Sequence, residues 1–168
     1  MLGYRDLIKK IDGKYFKGSC TYSDKNELQE ILSETKPEPK AIVEIGTYHG
    51  LSTLVLAGIC DVYTFDIKDY TTGRDIWNQF ETKGKIIKYI VKDSNETKEI
   101  LKDISFDWAF VDSVHDYENA KRDFDVVKKC GRVLFHDNFE RFPGVMKFCN
   151  EINCERVKFY YGYWEGKV

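Results

Sequence analysis

No apolar run in this 168-residue chain approaches the roughly 18 residues of a membrane-spanning helix, and the N-terminal stretch MLGYRDLIKKIDGK has no signal-peptide core. We therefore expect a cytoplasmic protein. Excess positive charge is missing too. The 26 Lys and Arg residues stand dispersed among 28 Asp and Glu, and a net charge of −2 creates no field that would draw in a nucleic acid. The cysteines (Cys20, Cys60, Cys130, Cys149, Cys154) are odd in number, scattered, and free of any C-x-x-C pair. They suggest neither a disulfide framework nor a thiolate zinc site, and we expect them reduced and buried or half-buried. Repeats and low-complexity segments are absent as well.

What remains is an ordinary globular composition, 42% hydrophobic and 32% charged, at a length suited to one domain. We take residues 1–168 as a single unit, with 1–40 as an N-terminal cap segment and 41–168 as the core. A weak apolar repeat at Leu2, Leu7, Ile8 and Ile11 could form a short helix. A better one starts near Ser23 or Asp24, with Glu27 near a capping-box position. It carries Leu28, Ile31 and Leu32 on one face, stops before Pro37, and is expected on a sheet edge.

The organising stretch is Ala41–Thr53, AIVEIGTYHGLST. Its β-branched apolar run reads as a buried strand, and after Gly46 the spacing of Leu51, Leu54 and Val55 is helical. Strand, glycine turn and helix N-terminus together can receive an anionic group. Two phosphate motifs are missing here, since the spacing is Gly46-x-x-x-Gly50 rather than G-x-G-x-x-G and no G-K-[ST] follows. A second apolar run ends in Asp66, where an acid can hold both hydroxyls of a ribose. Gly46 and Gly50 as plain turn glycines, with Asp66 as a strand-end residue, is the competing structural interpretation.

Further strands are expected at 61–66, 85–91, 106–111 and 132–136. Helices are expected at about 51–59, 75–80, 95–102, 116–130 and 144–152, and the third strand should be buried almost throughout. Strict alternation implies an α/β, Rossmann-like, doubly wound and mostly parallel sheet, with helices on both faces and ligands at the carboxyl ends of its strands. The tail RVKFYYGYW (156–164) is strand-like but short, which points to a truncated C-terminal edge.

The strand-end rule collects chemistry on one rim. It selects Glu44 to Tyr48, Asp66, Asp93 and Ser94, Asp112 to His115, and His136–Asp137–Asn138. Asp112 with Asp137 and Asn138 could offer two carboxylates and an amide oxygen to Mg²⁺, Mn²⁺ or Ca²⁺. They could equally be a helix N-cap and an Asx turn. His115, close by, has the ordinary pKa of a general base at neutral pH. His136 reads as a residue that shapes the turn.

VEIGTYHGLST (43–53), FVDSVHDYE (110–118) and RVLFHDN (132–138), in that order, resemble the class I S-adenosylmethionine-dependent O-methyltransferases. The likeness is to the small-molecule group of the catechol and macrocin O-methyltransferases and the cephalosporin-hydroxylase-like proteins. This resemblance implies a cofactor, S-adenosylmethionine, whose methionine part would border Glu44, Gly46 and Tyr48, with Ser52 near its carboxylate and Thr47 and Gly50 also in the cofactor site. Asp66 would hold the ribose, Asp93 and Ser94 would lie beside the adenine, and Asp112 would touch the cofactor side as well as the metal. Asp112, Asp137 and Asn138 match the metal triad, and His115 stands where the catechol enzymes carry a basic lysine. The implied reaction is metal-assisted methylation of a small hydroxylated acceptor, sugar or phenolic. Only 40 residues precede the first strand, so the acceptor side would be open or completed in a homo-oligomer. Two other functions fit the same motifs: a catalytically idle cofactor-binding subunit, and a nicotinamide oxidoreductase, which the missing G-x-G-x-x-G disfavours.

Overall fold

The computed structural model describes residues 22–70, 77–78 and 80–166. The N-terminal apolar repeat, Cys20 and half of the helix expected at 75–80 lie outside these residues. Within them the order is α1 (Tyr22–Glu34), β1 (Ala41–Ile45), α2 (Leu51–Ala57), β2 (Asp61–Asp66), β3 (Ile86–Ile90), α3 (Ser94–Ile100), β4 (Trp108–Val111), α4 (Tyr117–Val127), β5 (Arg132–Phe135), α5 (Pro143–Glu151), β6 (Glu155–Arg156) and β7 (Gly162–Glu165). Among the described residues no helix is long and apolar enough to cross a membrane.

The strands form one sheet in the order β3-β2-β1-β4-β5-β7-β6. β1 to β5 are parallel, β1 lying between β2 and β4 with Val43 opposite Tyr63 and Ala109. β7 runs antiparallel between β5 and β6. The order in which strands are added reverses between β1 and β4, so the carboxyl ends of β1, β2, β4 and β5 open onto one crevice. The C-terminal edge is not truncated. The tail supplies both closing strands because β6 needs only two residues and β7 four.

Nearly continuous burial along β1 and β4 is explained by cover on both faces. One face packs Val43, Ile45, Val111, Val133 and Phe135 against Phe124 of α4 and Val145 and Phe148 of α5. The other packs Ile42, Val62, Phe110 and Leu134 under α1 and α2. β3 departs from the expected full burial: it is an outer strand with a neighbour on one side, and its residues are half-buried or exposed. α1 departs as well. It lies on a face of the sheet, not an edge, because Leu28, Ile31 and Leu32 pack with the central-strand residues Ile42, Phe110 and Leu134. Burial of each such side chain contributes roughly 1.5–3 kcal/mol. Glu27 Oε2 accepts the Tyr160 N–H at 3.2 Å, tying α1 to the chain before β7.

Candidate active site

A cavity of about 780 Å³ lies at the carboxyl ends of the strands. Its first wall is the turn after β1. The Gly46 N–H donates to Phe65 O at 2.9 Å, and Gly46 has φ 99°, a left-handed value. A Cβ there would meet Asp112 O at 2.1 Å, so glycine allows the β1 and β4 loops to touch. Tyr48, also left-handed at φ 45°, donates its N–H to Asp66 Oδ2 at 2.8 Å. The second Asp66 oxygen accepts from Lys68 N at 3.0 Å. Both the glycine turn and the strand-end acid therefore combine a structural role with a place in the cavity wall.

Four of the expected cofactor residues stand behind that wall rather than in it. Gly50 precedes α2 in a left-handed conformation, with the Trp77 indole where a Cβ would be and Trp77 Nε1 donating to its carbonyl at 2.9 Å. The Thr47 and Thr64 hydroxyls are hydrogen-bonded at 2.6 Å. Glu44 is fully buried, and its Oε2 accepts from Thr53 Oγ1 at 2.5 Å. Burial pushes the Glu44 carboxyl up to about 7, against hydrogen bonds from Ser52, Thr53 and Thr64 that favour the ionised form. Ser52 is itself buried in this network. These residues brace the turn from below.

On the β3 side, Asp93 caps α3, one oxygen accepting from Asn95 N at 2.8 Å and Glu96 N at 3.1 Å. Ser94 beside it reaches Asp123 Oδ1 at 3.5 Å, and Ser113 donates to Asp123 Oδ2. Asp123, buried on α4, lines the cavity, and burial raises its pKa against those serines and Arg122. The helical spacing of α4 gave no sign that this acid faces inward.

The ends of β4 and β5 bring the remaining charges together. Donor atoms of Asp112, His115, His136 and Asp137 all lie within 4.8 Å of one another. His115 Nε2 is 2.5 Å from Asp137 Oδ2 and 3.7 Å from Asp112 Oδ1. The buried His136 ring places Nδ1 3.0 Å from Asp112 and 3.2 Å from Asp137. The Lys25 ammonium, from α1, stands 3.8 Å from the other Asp112 oxygen. Burial alone would raise the Asp112 carboxyl; His136, Lys25 and His115 overcome it and hold the group well below the usual carboxylate range. Asp112 caps no helix, since α4 is capped by Asp116, which accepts from Asn119 N at 2.8 Å. Asp137 has φ 62°, and a strained residue of this kind at a cavity points to function. Asn138 is buried, its Nδ2 fits against Gly162, and among the described residues its Oδ1 has no hydrogen-bond partner.

Aromatic rings continue the wall from His115. Phe142 lies with its centroid 4.4 Å from the His115 ring, and Phe139 is edge-on to both Phe142 and Tyr160 at 5.3 Å. Of the tail aromatics only Tyr160 lines the cavity. Tyr161 is fully buried, Tyr163 stacks on Trp108 at 5.4 Å, and Trp164 meets Phe124 edge-on at 4.8 Å. Tyr161 is core, and Tyr163 and Trp164 are half-buried against the core.

Gly46, Tyr48, Asp66, Asp93, Ser94, Asp112, His115 and Asp137 thus line one cavity, with Asn138 buried behind them. The sequence pattern missed Lys25, Asp123 and the full engagement of His136. Lys25, at i−3 and i−7 from Leu28 and Leu32, carried one available signal, a lysine on an otherwise apolar face.

A family model described as a methyltransferase domain matches residues 43–138. No curated protein is significantly similar to the chain. Among solved structures, an O-methyltransferase from Bacillus cereus in complex with SAH is 17% identical, with 95% of this chain and 87% of that one covered, at a TM-score of 0.64. SAH-bound methyltransferase from Podospora anserina is 16% identical over 98% and 86%, at 0.64. The apo TDP-rhamnose 3′-O-methyltransferase of calicheamicin biosynthesis is 11% identical over 99% and 88%, also at 0.64. At these identities the likeness is one of fold.

Proposed function

We propose, from the premise that the chain belongs to this methyltransferase family, that it methylates an oxygen of a small hydroxylated acceptor, sugar or phenolic, with S-adenosylmethionine as donor and a divalent metal assisting. One observation carries the acceptor chemistry: the His115 imidazole sits in the cavity between two carboxylates and an aromatic wall. The structurally similar enzymes, among them a TDP-rhamnose 3′-O-methyltransferase, support the same class.

The residues present fit both groups. Asp66 keeps acceptor capacity for ribose hydroxyls beyond its two backbone bonds, and an acidic rim suits a cationic sulfur. The clustered Asp112 and Asp137 carboxylates, with the partnerless oxygen of Asn138 next in sequence, offer oxygen donors of the kind that suit Mg²⁺ or Mn²⁺. When bound, the cofactor supplies an electrophilic methyl group and the metal lowers the pKa of an acceptor hydroxyl.

His115 would take that hydroxyl proton at the ring nitrogen that Asp137 does not engage, while the new O–CH3 bond replaces the S–CH3 bond and S-adenosylhomocysteine leaves. Asp137 holds the imidazole in position and stabilises the imidazolium, with Asp112 farther off. Phe142 and Phe139 exclude water and present flat faces to a ring-shaped acceptor. The dispersed charge of the chain favours such a small molecule over a polyanion.

Thermal unfolding with S-adenosylmethionine or S-adenosylhomocysteine, each with Mg²⁺ or with EDTA, tests this first. A ligand at a hundred times its Kd stabilises by about 2.7 kcal/mol, several degrees at this size. A cofactor shift followed by metal-dependent methylation of catechol or sugar acceptors is the expected result. Absence of any cofactor shift would reduce the domain to an interaction module.

A further inference from the structure

The matched family region begins at residue 43, so α1 lies outside it, yet α1 reaches the site. Lys25, Leu28 and Leu32 recur at helical spacing on one face. Both leucines are buried with Ile42, Phe110 and Leu134. The helix is also pinned along its length, Glu27 accepting the Tyr160 N–H at 3.2 Å and Glu30 meeting Lys158 at 3.0 Å. Its ammonium is delivered by a fixed scaffold: Lys25 is 1% exposed, with Nζ 3.8 Å from Asp112 Oδ2, while the other Asp112 oxygen faces His136 and His115.

A carboxylate that would ligate a divalent ion therefore already faces an ammonium group held in the protein interior. Such a charge has two opposite effects. It stabilises the lone carboxylate, and it repels an arriving cation more strongly than it would in bulk water. We propose that Lys25 is the built-in counter-cation of Asp112, holding that carboxylate in place while no divalent ion is bound and opposing the ion when it arrives. The metal affinity of the site is then set in part by α1. This rests on the metal-assisted function above.

The test is calorimetric titration of Mn²⁺ into the full chain, with S-adenosylhomocysteine present, alongside thermal unfolding in EDTA and in saturating Mn²⁺. Lys25→Met should tighten Mn²⁺ binding by about tenfold, the effect of one unit charge a few Å away in a partly screened site. It should also unfold earlier than wild type in EDTA, a gap that narrows in Mn²⁺. Lys25→Arg, which keeps the charge, should restore both values. If Lys25→Met fails to fold, Lys25→Gln supplies the same comparison. Binding by the variant but not by wild type supports the proposal in its strongest form. Equal or weaker binding by the variant overturns the role of Lys25 and leaves metal assistance standing, whereas no Mn²⁺ binding by either protein overturns both.

Discussion

Asp66 and Asp93, at one end of the cavity, each accept two backbone N–H groups from nearby turns. Asp112 and Asp137, at the other end, face the side chains of His115 and His136, and Asp112 faces Lys25 as well. Both ends hold acids, but the first pair is fixed largely by backbone amides and the second by charges from elements far apart in sequence. Backbone amides are permanent donors, so the first end keeps its shape at any pH where its carboxylates are ionised. Imidazoles and ammonium groups are movable or titratable, so the second end can change its proton inventory during a reaction. Within the proposed function, the rigid end suits a cofactor and the adjustable end suits proton transfer.

Several substitutions would break or sharpen this contrast. His115→Ala should lower kcat by about 10²–10⁴-fold, the usual contribution of a general base, without changing S-adenosylhomocysteine affinity; a parallel loss of affinity would erase the division between the two ends. Gly46→Ala should disturb both at once. Its methyl would stand 2.1 Å from Asp112 O at a left-handed φ, for a destabilisation of about 3 kcal/mol or more. Urea unfolding would report it.

Glu44→Gln examines what lies under the rigid end. The folded carboxyl, near 7, stands above its ordinary 4.5, so the folded state holds the proton more tightly than the unfolded one. The associated stability is fully present below about pH 4.5 and is lost as pH rises through 7, by about 3 kcal/mol in total. Wild type should therefore weaken relative to Glu44→Gln between pH 5 and 8, and parallel stability curves would show that Glu44 is ionised throughout. The smallest expected effect is Asp66→Ala, which should weaken cofactor binding by about tenfold while single-turnover chemistry at saturating cofactor stays near wild type. Unchanged affinity would remove Asp66 from the cofactor end.

Legibility in the sequence followed the same division. The Gly46 turn, Asp66 and the Asp93 cap are local features, written in a few consecutive residues, and the strand-end rule located Asp112, His115, Asp137 and Asn138 once β4 and β5 were recognised. Asp123 escaped notice because its neighbours Ser94 and Ser113 come from other segments. Gly50 and Ser52 belong to the same local motif, but that Trp77 packs on the first and the Glu44 network holds the second depends on distant segments.

By itself the sequence determined the alternation of strands and helices, and hence the rim on which chemistry would gather, because periodicity and glycine stereochemistry act over neighbouring residues. It also determined the donor set, since carboxylates, an amide and imidazoles are fixed by residue type. Only the tertiary structure decided that two strands as short as β6 and β7 complete the sheet, and that α1 lies across its face. It likewise decided that Lys25 ends beside Asp112. Pairing of distant charges depends on which faces pack together, and that is a property of the whole core rather than of any one stretch of chain.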